Sequence, residues 1–195
     1  MGVVRSGRHT ARGVSGRARV LETLVDEHGW TFGVELGVFR GDTFLHLLRS
    51  CPKLRMLGVD TWRPLSPDPI YPGGRTYASW PLEEFYRTLQ QRIETGGFTD
   101  RAVLIRAETP KAAAVYGDGL FDFVFVDADH TTPGVVADIF AWAPKIQPGG
   151  WMLGHDYNRQ KFPGVVRAVD TVFPSRALYD DTVWGCPIAE SVFGL

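Results

Sequence analysis

The sequence predicts an α/β protein built on a doubly wound, mostly parallel seven-stranded sheet with an antiparallel hairpin at its C-terminal edge. Three observations carry this prediction. Short apolar runs alternate with segments of helical periodicity along most of the chain. The run Phe121–Val126 is almost uninterrupted in apolar residues, as a strand covered on both faces of a parallel sheet requires. Nearly every run ends on an acid, until two short runs near the C-terminus flank a turn at Asp180-Asp181 and suit antiparallel pairing.

The first element is a helix over 16–27, where Val20, Leu21, Leu24 and Val25 recur at helical spacing before a turn at Gly29. A strand at Phe32–Leu36 stops at the turn Gly37-Val-Phe-Arg-Gly41, a helix follows over 43–48, and a buried strand over 54–59 ends at Asp60. This βαβ opening predicts parallel pairing through a right-handed crossover. Over 61–80 the composition turns to Pro, Gly, Tyr and Trp with little periodicity, and the segment is expected to be a lid loop over a site. A helix over 81–95, a strand at Ala102–Arg106 and a short helix over 110–115 lead to the strand Phe121–Val126, which ends at Asp127. A helix over 133–143, a tight turn at Gly149-Gly150 and a strand over 151–154 ending at His155-Asp156 come next. A helix over 164–173 and strands over 176–179 and 183–188 close the sheet.

At 195 residues the chain suits one domain spanning 1–195 and is short for two. Its aromatic share of 12% argues against disorder, and a net charge of -1 lacks the basic field of a nucleic-acid binder, so a small-molecule partner is expected. Arg5, Arg8, Arg12, Arg17 and Arg19 make the N-terminus basic without an apolar run behind them. We therefore expect a flexible basic arm over 1–15, neither signal peptide nor membrane span, and no membrane partner. Cys51 and Cys186 lack metal-ligand spacing, which suits a reducing cytoplasm.

In an open α/β sheet the ligand sits beyond the carboxyl ends of the strands, so the polar residues there are the candidates. Glu35 precedes a turn whose Gly37 and Gly41 allow close approach of a ligand to backbone and to a helix N-terminus. The spacing is not the G-x-G-x-x-G of a dinucleotide site, and an acid before the turn suits a cationic ligand better than a phosphate. Asp60 follows by the roughly twenty residues at which a carboxylate accepts both hydroxyls of a ribose, with Thr61 beside it. Asp127, Asp129, His130, His155 and Asp156 stand at two adjacent strand ends, where carboxylates and imidazoles can hold a divalent cation or act as base and orienter.

Taken together, Val-Glu35-Leu-Gly37-Val-Phe-Arg-Gly41, Gly-Val-Asp60, Phe121-Asp-Phe-Val-Phe-Val-Asp127-Ala-Asp129-His130, Pro148-Gly-Gly, Gly-His155-Asp-Tyr and Pro163-Gly-Val-Val-Arg-Ala-Val resemble the class I S-adenosylmethionine-dependent methyltransferases, which have a Rossmann-like fold. Within them the chain is most similar to the small bacterial group called methyltransferase family 24, over about residues 33–173. The resemblance implies that Glu35 and Gly37 border the methionine part of the cofactor, that Asp60 binds its ribose, that Glu108 lies near the adenine, and that Asp127 stands beside the sulfonium or a metal. Gly41 and Thr61 join this cofactor set. A relation to metal-assisted O-methyltransferases of catechols and macrolide sugars implies magnesium held by Asp127 and Asp156. Tyr157 stands where the catechol enzymes have Asn, and His155 where the sugar enzymes have an acid.

The function expected on this resemblance is O-methylation of a small molecule, a sugar, phenol or natural-product hydroxyl, with His130, His155 and Asp127 as catalytic residues. Either a histidine takes the hydroxyl proton or a cation lowers its pKa. Two alternatives stay open at this point: a metal-dependent hydrolase or hydroxylase-like enzyme using the acid and histidine cluster, and a cofactor-binding module without transferase activity. A homodimer through the aromatic-rich lid or the C-terminal hairpin is a further expectation.

Overall fold

A computed structural model describes residues 15–64, 70–71 and 75–189, and among these no helix is long and apolar enough to cross a membrane. The arm expected over 1–15, Ser15 excepted, and residues 65–69 and 72–74 of the expected lid lie outside the described residues.

Helix α1 (Gly16–His28) starts at Ser15, whose hydroxyl accepts the Ala18 N–H, and stops at Gly29, which takes the left-handed conformation (φ 67°). Strand β1 (Phe32–Leu36), helix α2 (Asp42–Ser50) and strand β2 (Arg55–Asp60) form the expected βαβ unit. The segment read as a lid is more regular than its composition suggests: it holds a hairpin of β3 (Ile70–Tyr71) and β4 (Arg75–Thr76) and a 3-10 helix, Tyr77–Ser79. Two-residue strands leave no periodicity to find. The chain continues through α3 (Leu82–Thr95), β5 (Ala102–Arg106), α4 (Thr109–Ala113), β6 (Phe121–Val126), α5 (Thr132–Trp142) and β7 (Ile146–Gly154). Helix α6 (Pro163–Val172), β8 (Ala177–Leu178) and β9 (Trp184–Pro187) complete it.

Seven of these strands form a sheet in the order β5-β2-β1-β6-β7-β9-β8, parallel from β5 to β7 and antiparallel across β7, β9 and β8. The expected turn at Gly149-Gly150 lies within β7. The register against β6 shifts between Phe121 and Phe123, and this irregularity accommodates Gly149 at φ 82°. Helices α1, α2 and α3 pack Leu21, Leu45 and Leu89 with Phe123 and Phe125 on one face of the sheet. Helices α4, α5 and α6 pack Ala112, Ile139 and Val169 with Val34, Val124 and Met152 on the other. Covering both faces explains why the central strands are apolar without alternation.

Two glycines are notches for aromatic rings of neighbouring strands. A Cβ on Gly33 would lie 2.2 Å from Cζ of Phe123, and one on Gly154 would lie 2.3 Å from Cζ2 of Trp184.

Candidate functional site

Strand pairing sets the carboxyl ends level. Leu36 pairs with Val59 on one side and Val126 on the other, and Val126 pairs with Gly154. One residue further along, Asp60, Gly37, Asp127 and His155 therefore stand in a row. The row crosses the gap between β1 and β6, where the strand order reverses and an open α/β sheet forms its crevice. Gly37 is required there: it has φ 85°, and a Cβ would lie 2.2 Å from the carbonyl oxygen of Asp127.

Asp60, only 4% exposed, is the hub on the β2 side. Its carboxylate accepts the N–H groups of Phe39 and Trp62, each at 2.8 Å, and the Tyr77 hydroxyl at 2.9 and 3.2 Å. Phe39 and Trp62 both have positive φ (52° and 43°), and the Trp62 indole N–H donates to the Phe39 carbonyl at 2.8 Å. One carboxylate thus holds two left-handed residues of two different loops. Burial raises its pKa, against the hydrogen bonds it accepts.

Glu35 is 3% exposed and its Oε2 takes no hydrogen bond from the described residues. Burial, then the nearby charge of Asp127, pushes its pKa well above the ordinary carboxyl value, while Arg17 opposes the shift. A buried acid with an empty lone pair facing further acids suits a cationic ligand.

The β6 and β7 ends supply four groups in contact. His130 Nε2 lies 2.7 Å from Oδ2 of Asp156 and 3.8 Å from Oδ1 of Asp127. His155 Nδ1 lies 3.2 Å from Oδ1 of Asp156 and 3.6 Å from Oδ1 of Asp127. The His130 ring stacks on Phe162 with centroids 4.6 Å apart, which fixes its plane. Burial disfavours charge on both imidazoles, but Asp127 and Asp156 outweigh it and hold His130 up at about 9 and His155 at about 10. Both carboxyls are correspondingly lowered by the imidazoles, against the effect of their own burial. Asp156 sits at φ 58°, a left-handed position that Asp and Asn tolerate better than most residues.

One donor atom each from Asp127, His130 and Asp156 fall within 4.8 Å of one another, close enough for a single ion to gather. Asp127 and Asp156, the two metal ligands expected from sequence, lie together here, and His130, which sequence assigned no place among them, adds a third donor atom beside them. A mixed carboxylate and imidazole set suits a first-row transition ion such as Mn²⁺ as well as it suits Mg²⁺.

The remaining expected residues are more peripheral. Gly41 caps α2 in the left-handed conformation (φ 75°) with Leu89 packed where its Cβ would go, so its demand is partly internal. Thr61 exchanges hydrogen bonds with the backbone of Arg63. Glu108 is mostly exposed, caps α4 and pairs with Lys111 at 2.8 Å. Asp129 accepts the Thr131 N–H at 2.7 Å and lies against Gly134 of α5.

Arg17 had no place in the sequence expectations as a site group, and Tyr77 entered them only as one ring of the aromatic-rich lid. Tyr77 occupies the Asp60 carboxylate, and only its lid position hinted at it. Arg17 reaches in from α1: its Nε–H donates to Thr43 Oγ1 at 3.0 Å, and its Nη1 lies 3.7 Å from Oδ2 of Asp127 and 3.5 Å from Nδ1 of His155. In sequence it belongs to a series of arginines that reads as a solvated arm.

Comparison with known proteins bears on the family and the fold. A family model described as a methyltransferase domain matches residues 34–157. Among curated protein sequences nothing matches. The solved structures it resembles include cofactor-bound Rv0187 from MTB (16% identity, 93% of this chain and 84% of that one, TM-score 0.68). They also include an O-methyltransferase from Bacillus cereus in complex with SAH (15% identity, 92% and 84%, TM-score 0.62). A third is the O-methyltransferase TomG from Streptomyces achromogenes, involved in tomaymycin synthesis, in complex with SAM (16% identity, 91% and 82%, TM-score 0.62). At these identities the likeness is one of fold.

Proposed function

The chain belongs to the methyltransferase domain family, and on that premise we propose that it uses S-adenosylmethionine to methylate a hydroxyl oxygen of a small molecule. One observation carries the reading. Glu35, Asp60 and Asp127, acids suited to a cationic and hydroxyl-bearing ligand, converge beside Gly37 at the reversal of strand order. The fold shared with SAM- and SAH-bound O-methyltransferases supports the same donor.

S-adenosylmethionine supplies, when bound, a methyl group open to in-line displacement at its sulfonium. Asp60 would accept the ribose hydroxyls, at the carboxylate on which the Tyr77 hydroxyl stands. Glu35, with its unpartnered Oε2, would receive the ammonium of the methionine part, and Asp127 would border its sulfonium. Asp127, His130 and Asp156 would hold a divalent ion, and the chemistry such an ion would supply there is a lowered pKa for an acceptor hydroxyl. His155, outside that donor set and oriented by Asp127 and Asp156, is the group placed to take the acceptor proton, which it does only from the neutral form that the two carboxylates disfavour. Trp184, whose indole N–H donates to the His155 carbonyl at 3.2 Å, closes the floor against water.

The test is calorimetric titration with S-adenosylhomocysteine, with and without Mg²⁺ or Mn²⁺, beside turnover on a panel of phenolic, catecholic and sugar hydroxyls. We expect binding by the wild-type chain. Asp156→Asn should keep that binding within about threefold and lose about a hundredfold or more in turnover, the usual worth of a lost acid–base or metal-holding group. A wild-type protein that binds neither the donor nor its product overturns the reading.

A further inference from the structure

Arg17 is a cation of the crevice to which the catalytic reading gives no task. Its position is not an accident of a loose terminus. Ser15 caps α1, the Arg17 N–H donates to Oδ2 of Asp181 at 2.7 Å, and Gly16 is packed so closely that a Cβ would lie 2.6 Å from Cβ of Asp181. The helix start is clamped to the turn before β9, and the guanidinium is thereby aimed at Thr43 and Asp127.

Carboxylates surround the guanidinium, yet it makes no close forked contact with any of them. Its distance to Asp127 is 3.7 Å, longer than the 2.7–2.9 Å of a charge-assisted hydrogen bond, so the pair is a loose one. Nε and Nη1 have partners, whereas Nη2 has none among the described residues, and the side chain is 32% exposed. Thr43 belongs to the first turn of α2, whose start is capped by no side chain, so Arg17 is tied through the Thr43 hydroxyl to a helix start with backbone N–H groups to spare. Close by stands Glu35, nearly fully buried, with Oε2 unpartnered. An empty buried carboxylate beside an under-used guanidinium and an uncapped helix start is the complement of an α-amino-acid zwitterion. Glu35 matches its ammonium, and Arg17 with the α2 start matches its carboxylate.

We propose that Arg17 anchors the carboxylate of the methionine part of the cofactor. This rests on the donor assigned above and adds a residue outside the family-matched segment 34–157. The physical need is plain. A carboxylate entering a crevice bordered by Glu35, Asp127, Asp156 and Asp181 needs a cation to receive it; the two imidazoles already face Asp127 and Asp156, and Arg17 is held there by the clamped start of α1. Arg17 then exchanges a loose contact with Asp127 for a forked one with the ligand.

The experiment compares two ligands that differ only in that carboxylate: S-adenosylhomocysteine and its decarboxylated analogue, 5′-(3-aminopropylthio)-5′-deoxyadenosine. Each is titrated calorimetrically into wild type, Arg17→Gln and Arg17→Lys, with thermal unfolding of all three proteins as the check on folding. Arg17→Gln should lose about tenfold to a hundredfold in affinity for S-adenosylhomocysteine, the worth of a charge-assisted hydrogen bond, and less than about twofold for the analogue. Arg17→Lys should fall between. An equal loss for both ligands, or no loss for either, overturns the assignment of Arg17 and leaves the donor standing. Failure of wild type to bind either ligand overturns the donor, and the assignment with it.

Discussion

Asp60→Ala should destabilise the ligand-free protein, independently of any cofactor. The carboxylate accepts two backbone N–H groups, from Phe39 and Trp62, and the Tyr77 hydroxyl, all beside a group only 4% exposed. An orphaned buried donor costs about 1–3 kcal/mol, so losing the acceptor for two N–H groups costs about 2–6 kcal/mol. Relief of the buried charge offsets part of this, since burial raises the pKa of Asp60. A net loss of about 2–4 kcal/mol remains, which for a chain of 195 residues lowers Tm by roughly 4–16 °C. Phe39 and Trp62 hold left-handed conformations through this carboxylate, so the loss should also loosen both loops. The assay is urea unfolding followed by circular dichroism, with no ligand present. Asp60→Asn, which keeps one acceptor oxygen, should lose about half as much. A loss under about 1 kcal/mol for Asp60→Ala would refute the reasoning, because the two N–H groups would then have water or another acceptor in reach. The result bears on function too: weakened cofactor binding in this variant signals a lost ribose contact only if Asp60→Asn, better folded, shows it as well.

Two further outcomes follow from single residues. Gly37→Ala places a Cβ 2.2 Å from a backbone oxygen at φ 85°, and about 1–2 kcal/mol of conformational cost plus about 1–3 kcal/mol of overpacking should lower stability measured by thermal unfolding; an unchanged Tm would mean that the turn and the β6 end are not in contact. Asp138, buried in α5 and accepting the Thr109 hydroxyl, is raised by burial from its ordinary 3.8 to about 7. The folded state therefore holds a proton the unfolded state has released between those values, and stability falls as pH rises through that window, by up to roughly 4 kcal/mol. Asp138→Asn should remove the slope, leaving a variant more stable than wild type at pH 8 and not at pH 4; parallel pH profiles would contradict this.

The parts of the fold legible in the sequence are those written in local pattern. The apolar run of β6, the turn after β1 and the acids closing β1, β2 and β6 are consequences of parallel strands covered on both faces, and so they mark the site as well as the sheet. The parts that were not legible depend on packing across long separations. Arg17 looks like one more arginine of a basic terminus until the Asp181 contact clamps it, 164 positions away. His130 becomes the third donor only because β7 brings Asp156 beside the end of β6. Gly149-Gly150 carries the composition of a turn, yet an irregular stretch of β7 uses the same left-handed freedom. Glu108, which the resemblance alone placed near the adenine, stands at the start of α4 with its carboxylate facing solvent and Lys111.

The notches at Gly33 and Gly154 have a consequence for how the chain finds its alignment. A strand displaced by one residue against its neighbour turns its side chains to the opposite face, and here it would also drive the ring of Phe123 or Trp184 into a residue that carries a Cβ. Each ring fits one gap, as a key fits one lock. Because Asp60, Gly37, Asp127 and His155 owe their common level to the pairing of these same strands, the two interior glycines act at a distance as the gauge that brings the reactive ends together.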